Sequence, residues 1–121
     1  MFRRVVLAAT LLSAGSALEA APGGMLGVLP LGGYVCELPG DALGPTGDRQ
    51  PEFDFTVTHS SSYRTATGAG TYLLTGDRLT FTSGPFYGMK YHRLSEGFLR
   101  RTEADGSDGP LRCVRATANN R

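Results

Sequence analysis

The sequence predicts an all-β fold, a small antiparallel up-and-down barrel of about eight strands, and three observations favour it. The chain of 121 residues has room for one small core. Its 17 glycines and seven prolines are spread along the sequence, as in proteins built of short strands and tight turns. No long apolar pattern with the helical period follows the N-terminus. We therefore expect a single β-barrel domain.

Residues 1–21 have the composition of a secretory signal peptide. Two arginines precede a short apolar run over residues 5–12, and small residues follow up to Ala21. The apolar run is far shorter than the roughly 20 residues of a membrane-spanning helix. The sequence therefore predicts export to the periplasm or the exterior, with residues 22–121 forming the barrel and no transmembrane anchor after processing. The cleavage site is left open among Ala17, Ala20 and Ala21.

The first predicted strand covers about residues 33–38, where Tyr34, Cys36 and Leu38 share one face. Residues 39–51 then carry three prolines and three glycines and predict a long connecting loop. Loops of this length are uncommon without a function. This segment is therefore the first candidate for a binding loop, with an ordinary surface loop as the alternative.

Two further strands are predicted over residues 53–58 and 61–66. The first alternates strictly, which places Phe53, Phe55 and Val57 inward. A turn at residues 59–61 leads into the second strand, in which Tyr63 faces inward. Both strands thus contribute aromatic side chains to the expected core.

The clearest local signal is a β-hairpin around Gly76 and Asp77. Two strand-like runs, about 70–75 and 78–83, are separated by these two residues, the loop length of a primed turn. That turn sets the register, because it leaves one pairing of the two strands. The expected pairs are Tyr72 with Phe81, Leu73 with Thr80, Leu74 with Leu79 and Thr75 with Arg78.

A break at Gly84 and Pro85 leads to three more predicted strands, over about residues 88–94, 97–102 and 110–115. Tyr91, Phe98 and Cys113 are expected to face inward on them. An acidic, glycine-rich surface loop precedes the last strand. The total of eight strands is the number that closes a small antiparallel barrel.

The two cysteines lie in the first and the last predicted strand. In a closed up-and-down barrel these strands are neighbours, so Cys36 and Cys113 can approach within bonding distance. Free or metal-binding thiols are the alternative, but no third and fourth ligand stands at a suitable spacing. The sequence thus predicts a Cys36–Cys113 disulfide that joins the two ends of the barrel.

The expected interior is rich in aromatic rings. Large side chains predicted to point into the barrel are Tyr34, Phe53, Phe55, Tyr63, Tyr72, Phe81, Tyr91 and Phe98, together with Leu38, Leu74, Leu79 and Leu111. Such a set nearly fills a barrel of eight strands. A packed core is therefore favoured over a cavity that holds a ligand.

Charge is balanced overall but unevenly distributed. Without residues 1–21, ten basic and ten acidic residues remain, with acids in excess over residues 34–63 and bases in excess over residues 64–121. This pattern argues against a dedicated nucleic-acid binder and leaves room for an anionic partner at one patch. With Tyr91, Phe98 and Cys113 inward, Lys90, His92, Arg101 and Arg112 would face outward. The candidate patch is Lys90, His92, Arg93, Arg100, Arg101 and Arg112; ordinary solvent-exposed cations are the alternative.

The sequence indicates no catalytic chemistry. His59 is followed by three serines, but adjacent turn residues cannot supply an oriented nucleophile, base and third group. His92 is expected to be a solvent-facing strand residue. No phosphate-binding loop, dinucleotide fingerprint or nucleophile elbow is present. We expect neither an enzyme nor a metal or cofactor.

Several segments give the chain a resemblance to known proteins. They are GYVCELPG at 33–40, SSY at 61–63, GTY at 70–72, LTFTSGP at 79–85 and LRC at 111–113. The chain resembles a family of small exported bacterial proteins of unknown function, some of which are labelled translation elongation factor P. That factor is a longer cytoplasmic protein with a modified lysine at a loop tip. Here the only lysine, Lys90, lies within a predicted strand.

The chain is also similar to periplasmic inhibitors of lysozyme, which are eight-stranded barrels with a Tyr-x-Cys start and a late cysteine. Tyr34, Cys36 and Cys113 correspond to these features, and residues 62–64 compare with the inhibitory loop. The tryptophan of that family is absent, since the chain has no Trp. The resemblance implies an exported barrel and an inhibitory activity.

Taken together, these patterns predict an exported, non-enzymatic binding module whose partner is an unknown protein or an anionic envelope component. One alternative is an inhibitor of an envelope or secreted enzyme that acts through residues 39–51 or the turn at 60–64. Another is a carrier that holds a small apolar ligand inside the barrel. No nucleic-acid partner is expected.

Overall fold

A computed structural model describes residues 25–40 and 47–116. These residues form an all-β structure, a closed antiparallel barrel of eight strands with two short extra strands. The predicted signal peptide and its cleavage sites lie outside the described residues, as does 41–46 of the predicted long loop. No helix in the described part of the chain is long and apolar enough to cross a membrane.

The strands follow one another around the barrel with few exceptions. They are β1 Leu26–Gly27, β2 Gly32–Pro39, β3 Gly47–Arg49, β4 Phe55–His59, β5 Ser62–Thr65, β6 Gly68–Thr75, β7 Arg78–Phe81, β8 Lys90–Ser95, β9 Phe98–Thr102 and β10 Asp108–Arg115. Around the wall the order is β2, β4, β5, β6, β7, β8, β9 and β10, and β10 pairs with β2 to close it. The extra strands β1 and β3 pair with β6 and β2, respectively.

The predicted hairpin and its register are confirmed. Tyr72 pairs with Phe81, Leu74 pairs with Leu79, and the pairs between them follow the expected order. Gly76 adopts a φ of 61°, a left-handed conformation that glycine accepts without steric cost. The two-residue turn therefore sets which side chains of β6 and β7 enter the core.

The predicted disulfide is also confirmed. Cys36 on β2 stands directly opposite Cys113 on β10 and is bonded to it across a sequence separation of 77 residues. Both cysteines are fully buried. The covalent bond thus joins the first and the last strand of the barrel wall.

Aromatic rings in mutual contact fill the interior. Phe81 lies at the centre, with its ring centroid 4.7 Å from that of Tyr63, 5.3 Å from Phe86 and 5.4 Å from Phe55. The fully or almost fully buried apolar residues are Leu29, Tyr34, Cys36, Phe55, Val57, Tyr63, Tyr72, Leu74, Leu79, Phe81, Phe86, Tyr91, Leu99, Leu111 and Cys113. Most of the predicted core is on this list, while Leu38 and Phe53 pack against it partly buried.

One end of the barrel is closed by the segment before β2, which we call the Leu29 end. Leu29 is buried, and its N–H donates to the Tyr72 hydroxyl at 2.8 Å. The Tyr34 hydroxyl in turn donates to the carbonyl of Pro30 at 2.9 Å. Core tyrosines therefore hold this segment in place through their polar tips.

The other end is closed by the connection between β7 and β8, and we call it the Phe86 end. Phe86 packs on Phe81 and Tyr63, and its N–H donates to the Tyr63 hydroxyl at 2.9 Å. That hydroxyl donates to the carbonyl of Ser83 at 2.7 Å. The sequence had indicated only a chain break at this point, so this closing residue was not expected.

One predicted inward orientation and one predicted strand boundary are wrong. Phe98 faces outward and Leu99 is fully buried instead, because β9 carries two adjacent apolar residues and a bulge in β8 shifts the pairing. Phe53 lies in a short 3₁₀ turn, Pro51–Phe53, and the strand begins only at Phe55. There the carboxylate of Asp54 accepts the N–H of Cys36 at 2.8 Å.

Candidate binding surfaces

The predicted basic patch does not form one continuous surface. Lys90, His92, Arg100 and Arg112 lie on the outer face of the wall, as their pairing with other outward residues shows. Arg101 pairs with the inward residue Tyr91, so its predicted outward orientation is wrong for the same reason as that of Phe98. Arg93 pairs with inward Leu99 near the Leu29 end.

His92 is enclosed by two carboxylates. Its Nε2 lies 3.0 Å from Asp77 Oδ2, and its Nδ1 lies 3.0 Å from Asp108 Oδ1. Each ring nitrogen thus lies within hydrogen-bond distance of a carboxylate oxygen. The two carboxylates lower the positive potential of the predicted patch at this point.

Arg100 and Arg112 are also engaged. Arg112 donates from Nε and Nη2 to Glu37 Oε2 at 3.0 and 2.9 Å, and both side chains of this ion pair are about three-quarters buried. Arg100 donates from Nε to the carbonyl of Gly109 at 2.9 Å. These contacts hold the middle of the patch in a fixed geometry.

A surface groove of about 580 Å³ lies on the outer face of β9, β10 and β2. Phe98 and Val114 form its apolar floor, and they are direct cross-strand partners. The Arg112–Glu37 ion pair borders the floor, and Glu96, Pro30 and Arg115 form other parts of the lining. We call this the Phe98 groove.

Sequence reasoning missed the Phe98 groove because it placed Phe98 in the core. The apolar pair formed by Phe98 and Leu99 fits either orientation of the strand, and only one of the two can face inward. The available signal was on β10. Arg112 and Val114 flank Cys113 in the sequence, so they face outward when Cys113 faces inward.

The described part of the predicted long loop folds back on the barrel. Residues 47–49 form β3 and pair with the end of β2. Arg49 donates to Asp54 Oδ2 at 3.2 Å, and both groups are partly exposed to solvent. This part of the segment extends the sheet instead of standing away from it.

The turn between β4 and β5 is a second candidate loop, and it is tethered. Ser60 has a φ of 43°, an unusual left-handed conformation for a residue other than glycine. Tyr72 donates from its hydroxyl to the Ser60 carbonyl at 2.8 Å and from its N–H to the Ser61 carbonyl at 2.9 Å. Of the nearby residues 62–64, Tyr63 is buried and Arg64 is exposed.

Burial perturbs the core tyrosines. Loss of solvent raises the pKa of Tyr34 to about 12, with Arg115 acting in the opposite sense. Burial also raises the pKa of Tyr91. Among the buried side-chain polar atoms of the described residues, the Tyr91 hydroxyl has no hydrogen-bond partner.

Two further observations concern metal binding and the cellular compartment. Within residues 25–40 and 47–116, no group of three or more His, Cys, Asp or Glu side chains is arranged to hold a metal ion. The buried disulfide is typical of an oxidising, non-cytoplasmic setting.

No protein-family model, curated protein or solved structure matches this chain. The resemblance to exported bacterial proteins and to lysozyme inhibitors therefore stays a prediction from the sequence.

Proposed function

We propose that this protein is an exported, non-enzymatic binding module, located in the periplasm or secreted, that holds a protein partner on its outer face. The observation that carries this proposal is the Phe98 groove, where an aromatic ring lies on the surface beside a fixed ion pair. The packed rings of the interior and the residues that close both ends support an external site over a carrier site inside the barrel.

The lining of the Phe98 groove has the composition of a protein interface. Such interfaces concentrate binding energy in aromatic and arginine side chains that are surrounded by polar groups. Here Phe98 and Val114 supply apolar contact area, while Arg112 is held by Glu37 before any partner arrives. A side chain that is already fixed loses little conformational entropy on binding.

Site-specific photo-crosslinking tests the proposal. We replace Phe98 with the photoreactive residue p-benzoylphenylalanine in the full chain, irradiate intact cells and isolate the protein from the envelope fraction. The matched control places the same residue at Leu73, which is 46% exposed on β6, across the barrel from β10.

The expected result is a defined crosslinked species at Phe98 that is absent or much weaker at Leu73. Mass spectrometry of the uncrosslinked protein should show that the signal peptide has been removed after Ala17, Ala20 or Ala21 and that the disulfide is intact. Equal crosslinking at both positions, or none at either in protein that has been correctly exported, would refute the proposed binding face.

An inhibitor of a secreted or envelope enzyme is the second candidate, and the tethered turn at Ser60 favours it. Inhibitory loops work best when they are held rigidly, and two hydrogen bonds from Tyr72 restrain this turn. The test is the rate at which lysozyme clears a cell-wall suspension with and without excess oxidised protein. Inhibition that is lost in Arg64→Ala but kept in Arg78→Ala would support this function, whereas no inhibition at saturating protein would exclude it for lysozyme.

A further inference from the structure

A second groove, of about 470 Å³, lies where the connection before β8 meets the loop after β9. Arg78, Lys90 and Arg101 line it, one from each of the neighbouring strands β7, β8 and β9. We call it the basic groove. Most of its lining residues lie towards the Phe86 end, and it shares no lining residue with the Phe98 groove, so the two surfaces are separate.

The cations of the basic groove form few ion pairs with the described residues. Neither Lys90 nor Arg101 forms a salt bridge within 4.0 Å to a described carboxylate. The Arg101 guanidinium instead lies over the ring of Phe53, 5.4 Å from its centroid, which fixes its position without neutralising its charge.

Arg78 is only loosely paired. Its Nε lies 3.8 Å from Asp77 Oδ1, and its side chain is 61% exposed. The other oxygen of Asp77 already accepts from His92 at 3.0 Å. Exposed pairs of this length contribute little binding energy, so Arg78 can turn towards another anion at small cost.

The charges in the basic groove are therefore less neutralised than those of the other residues in the predicted patch. His92 and Arg112 are paired with carboxylates, and Arg100 is bonded to a backbone carbonyl. Among the described residues that line the basic groove, Arg78 and Lys90 present their charges on the outer face, Arg101 faces inward, and Glu103 is the one carboxylate. Gly88 and Gly106 stand at its edge, and a side chain added at either would meet no atom within 4 Å, so the groove is open to solvent.

We propose that the basic groove binds a phosphate-bearing ligand. Arg78, on the outer face of β7, can contact a phosphate through two N–H groups of its guanidinium, and Lys90, on the outer face of β8, adds a mobile point charge. The groove, of about 470 Å³, has room for a further substituent or a second phosphate on the ligand. This proposal goes beyond the protein partner at the Phe98 groove and does not depend on it.

An NMR titration of the oxidised protein with pyrophosphate tests the proposal. The expected result is saturable shifts of the amide signals of residues 88–90 and 101–106, which weaken as ionic strength rises from about 0.01 to about 0.15 M. Arg78→Gln and Lys90→Gln should each lower the affinity roughly fivefold, the loss expected for one exposed charge contact. Arg64→Gln is the control, since Arg64 is exposed on β5, on the opposite wall.

A second arm distinguishes the source of the phosphate. Vesicles of phosphatidylcholine with and without phosphatidylglycerol are sedimented with the protein. Co-sedimentation that needs phosphatidylglycerol and Lys90, and that pyrophosphate reverses, would identify a lipid headgroup as the ligand. Pyrophosphate binding without co-sedimentation would identify a soluble phosphate compound. Shifts that do not saturate, or that Arg64→Gln reduces as much as Lys90→Gln does, would overturn the proposal.

Discussion

Reducing the Cys36–Cys113 disulfide should lower the free energy of unfolding by about 4.5 kcal/mol. The bond spans 77 residues. In the chain-entropy model, a cross-link that closes a loop of this length removes roughly 15 cal/mol/K of entropy from the unfolded chain. Small domains have total stabilities of about 5 to 15 kcal/mol. The bond therefore supplies a large share of the stability of this barrel, while the hydrogen bonds between β2 and β10 preserve the register in its absence.

Urea denaturation followed by far-ultraviolet circular dichroism measures this difference. Oxidised and reduced wild-type protein have the same sequence, so the comparison is free of cavity effects. With a slope of about 1.5 kcal/mol/M, the midpoint should fall by about 3 M. The double variant Cys36→Ala, Cys113→Ala should be at least as unstable as the reduced protein. A difference below about 1 kcal/mol, with the bond verified by mass before denaturation, would refute the reasoning.

Two further predictions concern the tyrosines. Tyr91→Phe should leave the free energy of unfolding unchanged or raise it by up to about 1 kcal/mol, because the buried hydroxyl has no partner; Tyr63→Phe should lower it by about 1 to 3 kcal/mol, because the buried N–H of Phe86 loses its acceptor. Equal losses in the same denaturation experiment would contradict this assignment. The second prediction is alkaline destabilisation: burial raises the pKa of folded Tyr34 from 10.0 to about 12, so its contribution is complete below pH 10 and is lost as the pH rises towards 12. The prediction is wrong if the free energy of unfolding of the wild type does not change between pH 9 and pH 12 and Tyr34→Phe shows the same pH profile.

The sequence predicted the barrel wall well because its signals were local. The two residues Gly76 and Asp77 left one register for the central hairpin, and strict alternation marked the inward residues of β4. The two cysteines then restricted how the ends of the wall could meet. Each of these inferences required only the spacing of neighbouring residues or one long-range bond.

The features that close the barrel could not be predicted in the same way. Leu29 and Phe86 lie in segments without strand periodicity, and their burial depends on hydroxyl groups that come from distant strands. The orientation of β9 depended on a bulge in β8, which leaves no clear mark in the sequence. Consequently the sequence did not predict the Phe98 groove. The predicted basic patch also included cations that the structure shows to be paired with carboxylates or to face inward.

The position of the disulfide also determines how the barrel responds to tension. A force that pulls on the two ends of the described chain passes directly from Cys36 to Cys113, because these residues are bonded across adjacent strands. Of the described residues, 25–35 and 114–116 lie outside this covalent ring and can be peeled away. The intervening strands, which carry most of the core and the basic groove, bear no load until the sulfur–sulfur bond is broken.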